Sequence, residues 1–173
     1  MGQSARYFPT SLSSQMPSKA EIKYGNVMES PEKLQAFQKT NMGMLDFAEY
    51  AKVNKKLPNK IYCNKIIMED LCKVFNDLVR TKLINEIISY DGCFNPRYIR
   101  GLEHKKILSN HAFGTALDFN ASQNPLGKTR EECLADGLKP FSKQFIQVWG
   151  EYNFLSGEKF PRKDLMHFEY TKL

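Results

Sequence analysis

The pattern of apolar and polar positions predicts helices in the first half of the chain and strands mixed with short helices in the second. Residues 1 to about 30 are rich in Ser, Pro, Met and Lys, carry no periodicity, and read as an irregular arm. Ser30-Pro31-Glu32-Lys33 marks a helix start, with Ser30 as N-cap and Pro31 at the first helical position. Leu34, Phe37, Leu45, Ala48 and Val53 continue at rough helical spacing, interrupted at Gly43, until residues 54–59 and Pro58 end the run. Ile61-Tyr62-Cys63 is a short strand. Asn64 then caps the strongest helix, 65 to about 83, where Ile67, Leu71, Val74, Phe75, Leu78 and Val79 keep a 3.6-residue rhythm. The β-branched stretch 84–90 predicts a strand closed by a turn at Asp91-Gly92, and 94–101 reads as a looped segment.

Further along, 115–120 alternates. Thr115, Leu117 and Phe119 share one face, and Ala116, Asp118 and Asn120 the other. A turn at 124–127 precedes two short helices, 129–136 and 140–149, the second with Phe141, Phe145, Val148 and Trp149 on its apolar side. Residues 150–163 read as a loop. A last strand, 166–171, sets His167 and Glu169 on one face and Phe168 and Tyr170 on the other. This order implies an α+β fold in which a small antiparallel sheet packs with helices. The expected division is an N-terminal arm and helix of unassigned role, 1–55, followed by a domain over 56–173.

Composition narrows the function classes. With 42% hydrophobic residues in 173, the chain can bury one proper core. No run of eighteen apolar residues exists, so no membrane span is expected. The N-terminal stretch lacks a continuous apolar segment, which points to cytosolic synthesis without a secretory signal. A net charge of +6 favours anionic partners or merely serves solubility. The lysines are scattered and no nucleic-acid motif is present, so no specific nucleic-acid partner is expected. Cys63, Cys72, Cys93 and Cys133 form no CxxC pair and read as reduced thiols. Nothing in the sequence indicates an oligomeric state.

Two distant stretches carry the chemistry: Ser109-Asn110-His111-Ala112-Phe113-Gly114-Thr115-Ala116-Leu117-Asp118 and Asp164-Leu165-Met166-His167-Phe168-Glu169. If strands 115–120 and 166–171 are neighbours, Asp118 and His167 project toward one spot, and His111, in the loop before the first strand, reaches the same spot. Two imidazoles and a carboxylate, with a fourth position open, suit one catalytic zinc ion. Such an ion lowers the pKa of a water it binds to near ~7, and Asp164 stands close enough to take the proton and pass it to a leaving amine. Arg97 or Arg100 would steady the oxyanion or grip a substrate carboxylate. Ser109 is expected to hydrogen-bond near the site. Glu169 is expected to orient a histidine or form a salt bridge. Trp149 is a pocket wall or a core anchor. The plainer alternatives are a polar core histidine at 111 and a solvent ion pair of Asp164 with Arg162 or Lys163.

At these residues the sequence resembles the zinc D-alanyl-D-alanine carboxypeptidase and L-alanyl-D-glutamate endopeptidase family, which includes vancomycin-resistance carboxypeptidases and phage endolysins. The likeness runs from about Ile61 to Tyr170 and takes in Tyr90-Asp91-Gly92, the 97–101 segment, Asn124-Pro125 and Trp149-Gly150. It implies His111, Asp118 and His167 as zinc ligands, Asp164 as general base, Arg97 in preference to Arg100 as the substrate cation, and a peptidoglycan stem peptide as substrate. Many carboxypeptidase members carry Glu where Asp164 stands, which tilts the likeness toward the phage endopeptidase branch. That branch would act on the wall after release or delivery. The competing reading is a catalytically inactive metal-binding module that recognises cell wall or a protein partner.

Overall fold

The computed structural model describes residues 17–173. Most of the expected arm, and the stretch that would carry a leader, lie outside the described residues. The part of the arm that is described is not irregular. Ser18 caps a short helix, α1 (Lys19–Tyr24), by accepting a hydrogen bond from the Glu21 amide, and Ala20 and Val27 are buried.

Helix α2 (Pro31–Asn41) starts as expected, with the Ser30 hydroxyl accepting from the Lys33 amide and Pro31 at the first helical position. It does not run on through Leu45. The chain turns extended at Met42 and forms β1 (Met42–Asp46), which pairs antiparallel with β2 (Lys60–Asn64). Helix α3 (Ala48–Val53) lies between these strands. Asn64 ends β2 and caps a 3₁₀ turn that leads into α4 (Met68–Arg80). Ile67, Leu71, Val74, Phe75 and Leu78 are all buried, so the apolar rhythm of this stretch is the core face of a helix.

The expected strand over 84–90 is replaced by a 3₁₀ turn at Leu83–Glu86, and the only paired residues are β3 (Tyr90–Gly92). Lys82 adopts a left-handed conformation that starts the turn, and Ile84 and Ile87 enter the core. The Ile88 and Ser89 amides donate to the Asn120 side-chain oxygen in place of a strand partner. The β-branched character of this stretch therefore reflected burial. Asp91-Gly92, expected as a turn, belongs to β3.

Four strands make the main sheet, in the order β3-β4-β6-β5, with β4 at Ala116–Phe119, β5 at Phe154–Gly157 and β6 at Asp164–Tyr170. All neighbours are antiparallel. The fold is α+β, with antiparallel sheets and helices, and a buried His–Asp–His group sits on and beside this sheet. β5 arises inside the expected loop 150–163. Phe154 is buried against Trp149, which converts a turn-rich segment into the edge strand of a hairpin. The two short helices appear as α5 (Arg130–Ala135), closed by a Thr129–Glu132 capping box, and α6 (Lys143–Glu151), capped by Ser142.

Two apolar clusters flank the site. The larger joins α3, α4 and α6 to one face of the sheet through Phe47, Phe75, Phe119, Phe145, Trp149 and Phe168. Phe47 and Ala51 belong to this cluster, so residues before 55 share a core with those after it. The smaller contains Ala20, Val27, Phe37, Met42, Leu108, Ala112 and Phe113, and sets α1 and α2 behind the turn that bears His111.

Candidate metal centre

The turn Asn110–Phe113 is shaped at both ends. Ser109 caps it by accepting from the His111 amide, and Gly114 leaves it in the left-handed region with φ at +62°. A Cβ at Gly114 would collide with Met42 and come within 2.9 Å of the Asn64 nitrogen, so glycine is required twice over. Ala112 and Phe113 are fully buried in the smaller cluster, where the Phe113 ring meets Tyr24 and Phe37. Held this way, the turn delivers His111 beside β4. Asp118 and His167 are direct cross-strand partners on β4 and β6, as the alternation of both strands requires.

The three side chains meet at one point. His111 Nε2 lies 3.1 Å from His167 Nδ1 and 3.1 Å from Asp118 Oδ1, and His167 Nδ1 lies 3.0 Å from Asp118 Oδ1. The outer nitrogens fix the tautomers. His111 Nδ1 is 2.7 Å from the Cys93 carbonyl oxygen, which can only accept, so the proton sits on Nδ1. His167 Nε2 is 3.2 Å from a Glu169 carboxylate oxygen and donates to it. With both imidazoles neutral, two ring lone pairs and one carboxylate oxygen therefore converge with no donor between them. Ligand atoms on a tetrahedral zinc at about 2.0–2.1 Å would stand roughly 3.3–3.4 Å apart. The observed triangle is close to one face of that tetrahedron. The buried group can hold a metal ion.

Electrostatics point the same way. Burial pushes the Asp118 carboxyl up, but hydrogen bonds and charge from His111 and His167 outweigh this and hold it well below the usual carboxylate range. Burial pulls the His167 imidazole down, and Asp118 and Glu169 more than reverse this, lifting it to about 10. Without a metal, the cluster takes up a proton instead. It demands positive charge.

Asp164 opens β6, three residues before His167. In a regular strand that odd separation puts side chains on opposite faces. Here the hairpin is irregular: β6 advances four residues, from Phe168 back to Asp164, where β5 advances one, from Ser156 to Gly157. The Asp164 carboxyl feels His167, Asp118, His111 and Arg97, so it faces the cluster. Burial raises its pKa, and its Oδ1 is buried with no hydrogen-bond partner among the described residues. Gly157 makes this possible, because a Cβ there would strike the Asp164 carbonyl oxygen and come within 3.0 Å of the Asp164 Cβ.

Of the two arginines, Arg97 is half-buried. It lies within electrostatic reach of Asp118 and Asp164, and its Nε is buried without a hydrogen-bond partner among the described residues. Arg100 is exposed, and its carbonyl oxygen accepts from Arg162. Among the described residues Glu169 pairs with no arginine or lysine. It accepts from His167 and from the Asn110 amide. Trp149 lies away from the site, stacked on Phe168 at 4.4 Å in the larger core, so it is a core anchor and not a pocket wall.

Three neighbours escaped the sequence reading. Phe160, on the β5–β6 hairpin, stands 5.6 Å from the His167 ring. Cys93 contributes only its carbonyl, a group every residue has, so no signal could have marked it. Asn110 could have been noticed as a polar residue beside a ligand on a turn that is otherwise buried.

No curated protein and no solved structure matches the chain. The family model described as D-alanyl-D-alanine carboxypeptidase matches residues 103–170, a stretch that begins later than the likeness read from the sequence and contains His111, Asp118, Asp164 and His167.

Proposed function

We propose that the protein is a zinc-dependent peptidase that hydrolyses a peptide bond in the peptidoglycan stem peptide. The bond would be D-Ala-D-Ala, cut as a carboxypeptidase, or L-Ala-D-Glu, cut as an endopeptidase. The observation that carries this reading is the convergence of three ligand-type atoms, two imidazole nitrogens and a carboxylate oxygen, at 3.0–3.1 Å in one buried group. His111 Nε2, Asp118 Oδ1 and His167 Nδ1 would hold the ion. When bound, zinc would supply Lewis acidity that brings water near its deprotonation point at neutral pH, at about pKa ~7.

The remaining work falls to the chain. Asp164, kept partly protonatable by burial and with a free Oδ1, takes the proton of the attacking water and returns it to the leaving amine. Arg97 offers its buried, unpartnered Nε to the developing oxyanion or to a substrate carboxylate. Phe160 walls the His167 side. An aspartate at 164 favours the endopeptidase branch associated with phage lysis, in which the enzyme reaches the wall after release or delivery.

Purified protein should bind one zinc per chain by elemental analysis. Asp164→Ala should keep that zinc and lose hydrolysis by about 10²–10⁴-fold. Full activity in this variant would remove Asp164 from the mechanism. Mass spectrometry of digested peptidoglycan separates the two bonds. Free D-alanine marks the carboxypeptidase, and a new D-Glu amino terminus the endopeptidase.

A further inference from the structure

We infer that Asn110 is a positioning residue that locks the two halves of the metal centre together through Glu169; this rests on the metal-binding reading given above. The Asn110 Nδ2 donates to Glu169 Oε2 at 2.6 Å, and the same oxygen receives His167 Nε2 at 3.2 Å. Asn110 directly precedes His111 on the turn, and Glu169 lies two residues beyond His167 on β6. One amide therefore ties the carrier of the first imidazole to the carboxylate that orients the second.

The direction of this bond is fixed by chemistry. An ionised carboxylate only accepts, so the Asn110 amide must present its nitrogen. Its Oδ1 is then left buried with no partner among the described residues. A side chain serving only its own turn would not leave an acceptor stranded. The turn is already held by other bonds: the Asn110 carbonyl accepts from both the Thr115 amide and hydroxyl, and the Thr115 carbonyl accepts from the Tyr170 amide. The side chain is free for Glu169. With Glu169 held, His167 keeps a proton on Nε2 and its Nδ1 stays aimed at Asp118 and His111. Partners of this outer kind typically change metal affinity by about 10–100-fold when removed.

The test is zinc affinity by chelator competition in the full chain. Asn110→Ala should weaken binding about 10-fold. Asn110→Asp, which sets a carboxylate against Glu169, should weaken it more than Asn110→Ala, an order that loss of packing alone would not give. In the double variant with Glu169→Ala, Asn110→Ala should add nothing further. A second readout uses the metal-free protein. The Asn110 side-chain amide proton should show the downfield NMR shift of a charge-assisted hydrogen bond and lose it in Glu169→Ala. Wild-type affinity in both Asn110 variants, or an unshifted amide in the metal-free wild type, would overturn the role. Failure of the wild type to bind zinc would instead sink the functional reading, while the amide signal still reports on Asn110. Should Asn110→Ala not fold, the amide signal and the affinity of Glu169→Ala decide the question.

Discussion

The two faces of strands β4 and β6 are made from alternate residues of the same segments, yet they behave as opposites. On one face Leu117, Phe119, Phe168 and Tyr170 join Trp149 and Phe145 in the larger core, where rings stack and cross at 4.4–6.5 Å. The rings there pack on one another inside the chain, and only the Trp149 Nε1 is buried with no hydrogen-bond partner on that face among the described residues. On the other face Asp118, His167 and Glu169, with His111 from the neighbouring turn, bring together acceptors that the chain alone does not satisfy. One face completes itself by apolar burial. The other is complete only when something positive enters. A two-residue period lets so small a sheet carry both, and the strength of the first holds the second in place.

The comparison breaks most sharply at His111. His111→Ala should abolish zinc binding and hydrolysis together, because only two of the three protein ligands a catalytic zinc needs would remain. The folded state should survive, since the apolar face is untouched. Elemental analysis and circular dichroism read the two halves of this expectation. Retained stoichiometric zinc would mean that the acceptor triangle is not the metal centre.

Phe168→Ala attacks the other face. Its ring is fully buried between Trp149, Phe119, Phe141 and Phe145, so truncation should lower stability by about 3–5 kcal/mol. The protein that remains folded should still bind one zinc per chain. Denaturant unfolding with a parallel zinc titration checks this. A loss below about 1 kcal/mol would show that the face is not the anchor described here.

The same contrast explains what could be read from the sequence. Asp118 and His167 were legible because a strand's alternation fixes which neighbours share a face, and cross-strand pairing needs only that the two strands be adjacent. α4 was legible because its apolar stripe is long and continuous. Asp164 was legible as a residue type, but its orientation was not. It reaches the cluster only through the irregular register opposite Gly157, a property of two strands together. β5 and the turn at 83–86 were misread for a related reason. Phe154, Ile84 and Ile87 are apolar because they are buried, and burial alone does not choose between strand, turn and loop. Glu169 was expected to orient a histidine or form a salt bridge, and it lies against His167; the partner of Asn110 needed coordinates, since that bond spans fifty-nine residues.

The smallest of these effects, and the one that best separates the faces, is the response of the metal-free protein to pH. His167 is raised to about 10 in the folded chain, against an unfolded value near ~6.5. A raised folded pKa means the folded state holds a proton that the unfolded state has released. The stabilisation is then full below about pH 6.5 and is lost as pH rises toward 10. Between about pH 6.5 and 7.5 the thiols, near ~8.5 in the unfolded chain, are still almost wholly neutral, so His167 dominates the slope there. One differential proton gives at most about 1.4 kcal/mol per pH unit. Thermal unfolding across this window should therefore show Tm falling with pH in the metal-free protein. Saturating zinc should remove the slope, because the cation replaces the proton. Phe168→Ala should lower the whole curve and leave its slope intact, while His167→Ala should flatten it. A flat metal-free wild-type profile would mean that Asp118 and Glu169 do not hold a proton on His167, and that this face is satisfied in some other way.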